Sequence, residues 1–291
     1  MNAALYGNPF NPEFFPVMET ILVKLRESGV RVWLLKSFKE FLGSRIPDLV
    51  RDHSEFEGRE TIPGTIDFLL SIGGDGTFLE AAALTRGLDI PMVGINSGRL
   101  GFLAYISKEN VTQSLDHIFK GNYSIEERSL IEMNASDDSI KDVALNEIAI
   151  QKKDSKMITI HLFLEDELLN SYWADGLIIA TPTGSTAYSL SVGGPIVTPG
   201  SENFIISPIS PHTLAVRPVV IPNQHRIRLK IDGRTSRYIV SVDYRSYHLD
   251  SRVEVELRTS SETIKMLKLE GYSYYGTIRE KLMWGIDKRN W

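Results

Sequence analysis

Between Ser71 and Glu80 the chain reads SIGGDGTFLE, three glycines around one aspartate directly after the apolar run IDFLL. An apolar strand, a glycine turn and a helix start present backbone amides and a helix N-terminus to anionic oxygens, which is the chemistry of phosphate binding. Gly73, Gly74, Gly76 and Thr77 therefore form a candidate phosphate-donor loop. Asp75 does not suit a pure phosphate cradle, because a carboxylate and a phosphate repel at close range. It suits a loop that also handles a proton or a cation. A carboxylate beside a hydroxyl accepts its proton as the oxygen attacks phosphorus, or it helps hold the divalent ion on the donor. The plainer reading is an aspartate that caps a helix after a tight turn.

Spacing excludes two common glycine loops. A dinucleotide fingerprint counted from Gly74 reaches Gly76 and then Leu79, where its third glycine should stand. A Walker loop ends in Lys-Ser/Thr, whereas here Thr77 follows Gly76 with no lysine near. Ser185, between Gly184 and Thr186, lacks the G-x-S-x-G elbow of a hydrolase nucleophile. The histidines at 53, 117, 161, 212, 225 and 248 show no zinc-ligand spacing, and His212 reads as a packing residue.

The elements that must position the loop follow from periodicity. Up to about residue 122, short apolar runs (AALY, VWLL, IDFLL, PMVGI) alternate with helical patterns at Pro12–Glu27 and after Thr77. This predicts an α/β domain, a parallel sheet with crossover helices. Gly7, Gly73, Gly74 and Gly94 fall at the expected carboxyl ends of those strands, where open α/β sheets take ligands. The polar stretch 43–64 reads as a surface loop. From Tyr123 the pattern becomes period-2, as in MITIHLFLEDE, where Ile158, Ile160, Leu162 and Leu164 share a face. RIRLKID, a DGRT turn, RYIVSVD and VEVEL continue it, predicting a β-rich domain over 123–263. YGTIREKLMWG reads as a helix in 264–291 that returns to the first domain, with Leu282 and Trp284 needing apolar cover.

GGDGT together with INSGRLGFL (95–103), LNEIAI (145–150), ADGLIIATPTGSTAYSLSVGGP (174–195), PISPHTLAVRP (208–218) and a terminal REKLMWG resembles the NAD kinase family. That family phosphorylates the 2′-hydroxyl of the adenosine ribose of NAD to make NADP. The match runs through most of the chain. GGDGT alone is shared with lipid kinases and resembles the phosphofructokinase loop; the TPTGSTAYSLSVGGP segment discriminates far better.

The resemblance implies that Asp75 is the proton acceptor, that Gly76 lies against the dinucleotide and that Phe102 packs beside it. It implies NAD contacts from Asn146, Glu147, Asp175, Thr186, Ala187, Tyr188, Ser189, Leu190, Ser191 and Asp243. An Asn-Glu pair suits a nucleoside, since an amide reads a base edge and a carboxylate accepts from ribose hydroxyls. Without its neighbours it would read as a solvent-facing strand edge. Tyr188 can stack on a base or fill a core. Where many members read Asp-Gly-Gln, this chain has Asp243-Tyr244-Arg245. The implied substrates are NAD and ATP, or polyphosphate, with a divalent cation, Mg²⁺ first, and a homodimer or homotetramer. A lipid or sphingoid-base kinase sharing GGDGT and a non-catalytic NAD sensor are the alternative readings.

Composition bounds these readings. The 291 residues are 42% hydrophobic, enough for about two domains, and carry a formal charge of −5, which argues against nucleic acid as a partner. With no cysteine there is no disulfide, thiolate metal site or cysteine nucleophile. No apolar run approaches membrane-spanning length, and MNAALYGNPF lacks a basic, then apolar, leader, so no membrane association and a cytoplasmic location are expected.

Overall fold

The computed structural model describes residues 1–98, 101–233 and 236–284. Arg99 and Leu100 of INSGRLGFL, Arg234 and Thr235 of the expected DGRT turn, and Gly285 of REKLMWG lie outside them. The chain divides into two compact units, Met1–Glu126 with Lys265–Trp291, and Glu127–Ile264.

In the first unit, β1 (Asn2–Gly7), α1 (Phe15–Glu27), β2 (Arg31–Leu35), α2 (Lys36–Gly43), α3 (Pro47–Val50) and β3 (Ser54–Phe56) come first. They are followed by β4 (Phe68–Gly73), α4 (Asp75–Thr85), β5 (Met92–Asn96) and α5 (Val111–Phe119). The strands pair in parallel in the order β3-β2-β1-β4-β5. β4 and β5 are buried at every position, as central parallel strands covered by helices on both faces must be. Apolar side chains recur at helical spacing in α1 (Met18, Ile21, Leu22, Leu25) and α4 (Phe78, Ala81, Ala82), so each helix lays one stripe on the sheet. The strand order reverses between β1 and β4, and at such a switch point the carboxyl ends open a crevice. Gly7 and Gly73 end those two strands there.

Three expectations are corrected. The stretch 43–64 is not a plain surface loop: α3 and β3 lie within it, β3 extends the sheet beside β2, and Ile46, Val50 and Phe56 are buried. Charged neighbours mask these few apolar anchors in the sequence. Gly94 sits inside β5 rather than at its end, where segment 104–106 runs alongside. In the terminal helix, α7 (Tyr274–Leu282), Ile278 is buried but Trp284 is 55% exposed, so the apolar cover expected for it is not found among the described residues.

The second unit is built from antiparallel strands. β6 (Tyr123–Ala135) leads into it and pairs with β7 (Lys141–Ala144); then follow β8 (Glu147–Lys152), β9 (Ile158–Leu164), β10 (Glu167–Ala174) and β11 (Gly176–Ala180). A short helix, α6 (Tyr188–Ser191), precedes β12 (Asn203–Ile209), β13 (Val219–Pro222), β14 (Ile227–Gly233), β15 (Arg237–Val242) and β16 (Arg245–Asp250). The long β17 (Val255–Leu269) closes the unit. One sheet runs β13-β12-β11-β8-β15-β16, and β10-β9-β14-β17 pair in the other. Their inner faces share a core that includes Ile148, Ile150, Ile158, Ile160, Leu162, Leu177, Ile179 and Val240. The alternate residues Ala149, Ile178, Ala180 and Ile205 are also buried, under Val192 and Val197. The segment after β11 therefore covers the outer face of the six-stranded sheet, and this is how the TPTGSTAY stretch is held in place.

Candidate active site

In the first unit the glycine turn joins β4 to α4. Gly74 is the N-cap and Asp75 the first helical residue, so Asp75 is not the capping residue of the plainer reading. Side chains added at Gly74 or Gly76 would meet nothing within 4 Å, leaving their amides accessible to a ligand, while Thr77 is buried against Gly73. The Asp75 carboxylate gathers the segment after β5. Its Oδ2 accepts from the Phe102 amide at 2.8 Å, and its Oδ1 accepts from Leu103 and Ala104 at 2.9 Å each. Gly101 makes this possible, since a Cβ there would stand 1.8 Å from Asp75 Oδ1. The Phe102 ring lies under the Lys281 ammonium of α7 at 4.2 Å, with Tyr274 beside it. At the carboxyl end of β1, Tyr6 and Asn8 both donate to Glu80 of α4, at 3.0 and 2.6 Å. Gly101 lies in INSGRLGFL and Glu80 ends SIGGDGTFLE, but neither motif nor the position of Asn8 signals these contacts, which join segments far apart in the chain.

In the second unit Asn146 and Glu147 stand at the start of β8, beside the turn after β11. Thr181 donates its hydroxyl to the Leu145 carbonyl at 2.6 Å and its amide to the Asn146 carbonyl at 2.9 Å. Gly184 packs so closely that a Cβ would fall 2.1 Å from the Asn146 carbonyl oxygen. The Asn146 side chain makes no hydrogen bond to the described residues, although the residue is 8% exposed, so its amide is available to a ligand. Asp243, in a left-handed turn with φ of 50°, accepts from the amides of Leu145, Asn146 and Glu147 at 2.8, 2.8 and 3.2 Å. Its carboxylate thus holds the Asn-Glu backbone. Arg245, the departure from the family pattern, makes a two-point contact with Asp142 at 2.7 and 3.2 Å and donates to the Val143 carbonyl at 2.7 Å. Tyr247 donates to the same carboxylate at 2.8 Å, and Tyr244 is exposed.

The stretch 186–191 divides by burial. Tyr188 is exposed, and its hydroxyl accepts from Gln151 at 3.3 Å. Thr186, Ala187 and Leu190 are half-buried and Ser191 is exposed. Ser189 is buried, with its hydroxyl bonded to Ser207 at 3.0 Å. Ser185 is also fully buried and bonds to Pro182 and Val197, which disposes of it as a nucleophile. Asp175 pairs with Lys152 at 2.5 Å.

Glu147 is the electrostatic anomaly. Its Oε2 is buried without a hydrogen-bond partner among the described residues. Burial, then the nearby Asp243 charge, push its carboxyl up to about 8, against a Tyr188 amide that favours the anion. Burial also raises Asp243, opposed by its three amide donors. An acid raised in the folded state holds its proton where the unfolded chain, with glutamate near 4.3, has released it. Folding stability of the ligand-free protein is therefore expected to fall as pH rises from about 4.5 to 8, by on the order of a few kcal/mol. Chemical denaturation across that window should show a shallower slope in Glu147→Gln; an unchanged slope would remove Glu147 as its source.

Comparison with known proteins gives a consistent answer. The ATP-NAD kinase N-terminal domain family matches residues 4–123, and the ATP-NAD kinase C-terminal domain family matches residues 145–269. The chain is 42% identical over 290 residues to an NAD kinase of Cytophaga hutchinsonii, covering 99% of each. It is 40% identical over 296 residues to an NAD kinase of Flavobacterium johnsoniae, covering both fully. Among solved structures, yeast NADH kinase complexed with NADH superposes with a TM-score of 0.86 at 26% identity, over 99% of this chain and 89% of that one. An NAD kinase from Archaeoglobus fulgidus in complex with ATP gives 0.75 at 27% identity, over 97% and 99%. With both domain families matched in order and relatives aligned end to end, the chain belongs to the NAD kinase family.

Proposed function

We propose that this chain transfers the terminal phosphoryl group of ATP to the 2′-hydroxyl of the adenosine ribose of NAD, giving NADP and ADP. The observation that carries the reading is the anchored Asp75 carboxylate within an open glycine turn: among the described residues Oδ2 accepts one amide and keeps an acceptor position for a hydroxyl proton. In this assignment the 2′-hydroxyl proton passes to Asp75 as its oxygen bonds to the γ-phosphorus, and the bond to the bridging β–γ oxygen breaks. Gly73, Gly74, Gly76 and Thr77 receive the donor phosphates. Asn146 and Glu147 take the adenosine, while Asp175, Tyr188 and the residues around Tyr188 lie along the dinucleotide. Phe102 packs beside it. Ser189 and Asp243 are assigned to holding these segments, since their polar atoms are engaged within the chain.

Among the described residues no three His, Cys, Asp or Glu side chains converge to hold a metal ion, so no protein ligand is assigned. We place Mg²⁺ on the donor phosphates, arriving with the substrate. No helix among the described residues is long and apolar enough to cross a membrane. A cytoplasmic homo-oligomer is our reading; Leu168 and Trp173, exposed on the edge strand β10, suit a contact between copies.

A coupled assay with NAD and NADH against ATP, other triphosphates and polyphosphate tests the activity and fixes the donor. An NAD analogue lacking the adenosine 2′-hydroxyl is expected to compete with NAD and take no phosphate. Phosphate on that analogue, seen by phosphorus NMR, would refute the positional assignment. Turnover of a lipid alcohol with none of NAD would move the chain to the other kinase class.

A further inference from the structure

The first unit contains a cleft of about 340 Å³ that none of the assigned residues lines. α5 and the residue that caps it form one wall, with Asn110, Gln113 and His117, and the link from β17 to α7 forms the other, with Glu270 and Tyr272. The volume falls at the lower end of the roughly 300–1,000 Å³ typical of small-molecule sites. Tyr105 and Tyr272 meet there with ring centroids 4.1 Å apart. Tyr105 is fixed by its hydroxyl, which donates to the Leu267 carbonyl at 2.8 Å and accepts from the Leu269 amide at 3.2 Å. The Nδ1 of His117, behind this wall, is buried with no hydrogen-bond partner among the described residues.

We propose that this cleft is a second ligand site, for an uncharged heteroaromatic molecule of nucleobase to nucleoside size. Two side-chain amides, Asn110 and Gln113, can each donate and accept along a heterocycle edge. The tyrosine rings supply the apolar, stacking part of the wall. Glu270 is the one carboxylate, and no lysine or arginine is among the described lining residues, so a phosphate group is disfavoured. The same lining disfavours the phosphorylated substrates of the kinase in this cleft. Tyr105 directly follows Ala104, whose amide binds Asp75, and Tyr272 lies two residues before α7, whose Lys281 covers Phe102. An occupant therefore bears on both supports of the Asp75 loop and changes kcat, an effect that rests on the role assigned to Asp75.

The test is calorimetric titration of adenosine into the full chain with NAD saturating and no donor present. Binding of one further equivalent is expected. Gln113→Trp, which fills the cleft from an exposed helix position, should weaken adenosine by about tenfold or more while leaving NAD affinity unchanged, and Gln113→Ala gives a smaller loss if the tryptophan variant folds poorly. Adenosine 5′-monophosphate should bind about tenfold more weakly than adenosine. No binding at several millimolar adenosine, or binding that survives Gln113→Trp, overturns the site; equal binding of the monophosphate overturns the ligand class. In steady-state assays adenosine should change kcat, with the KM for NAD unmoved, in the parent chain and not in Gln113→Trp. A constant kcat overturns the coupling alone, and full activity of an Asp75 variant removes its premise while the binding result stands.

Discussion

Asp75→Asn is expected to lower kcat by about 10²–10⁴, the usual loss when a general base is removed, while NAD affinity stays within a few-fold. An amide cannot take the hydroxyl proton. The structure adds a second effect. Asp75 accepts three backbone amides through two oxygens, and an asparagine can present only one oxygen to them. Its NH₂ would face an amide donor, so the 102–104 segment should loosen as well. Steady-state kinetics together with hydrogen exchange at residues 102–104 separates the two. Near-full activity at saturating ATP and magnesium would show that Asp75 is an anchor and nothing more.

Asp243→Ala should be the most destabilising single change among the residues proposed to hold the dinucleotide. Three amides, those of Leu145, Asn146 and Glu147, would lose one buried acceptor, at about 1–3 kcal/mol for each group left unsatisfied. Alanine also tolerates the left-handed backbone less well than aspartate does, adding roughly 1 kcal/mol. Relief of a buried carboxyl offsets part of this, leaving a net loss of about 3 kcal/mol, which for a chain of this size lowers Tm by roughly 5–10 °C. NAD affinity should fall at temperatures where the variant is still folded, because the Asn146 and Glu147 side chains hang on the backbone that Asp243 holds. ATP affinity should not. A melting temperature within 1–2 °C of the parent's would show that water satisfies those amides and that Asp243 is no structural keystone.

The alternation of apolar runs and helical stripes made both fold classes legible, since each strand's burial was written in its own residues: Ile158, Ile160 and Leu162 are all fully buried on one face. The stretch 43–64 was illegible for the converse reason. Three or four apolar anchors among many charges do not set a period, and only contact with β2 and α1 reveals them. At the site, Asp75 stood out by type and spacing, whereas Asn146 and Glu147 were marked only by the resemblance of the segment around them. What could not be read was where their polar atoms point. That Asp243 faces three backbone amides, that Ser189 faces Ser207, and that Arg245 faces Asp142 are all consequences of pairing across 18 to about 100 residues of chain. Local pattern contains none of it. Gly184 and Gly101 are similar cases, glycine because a carbonyl or a carboxylate from a distant segment occupies the space of a side chain.

The segment that covers the outer face of the six-stranded sheet has a bearing on motion. Val192 and Val197 are the lid over Ala149, Ile178 and Ile205, and Ser185 and Ser189 are pinned beneath it. Lifting this stretch would wet an apolar surface and break buried hydroxyl bonds, so it opens only with the sheet it protects. Tyr188 and its neighbours are consequently displayed on a fixed mount, and proteases should find no cleavage site between 183 and 194 even when no nucleotide is present.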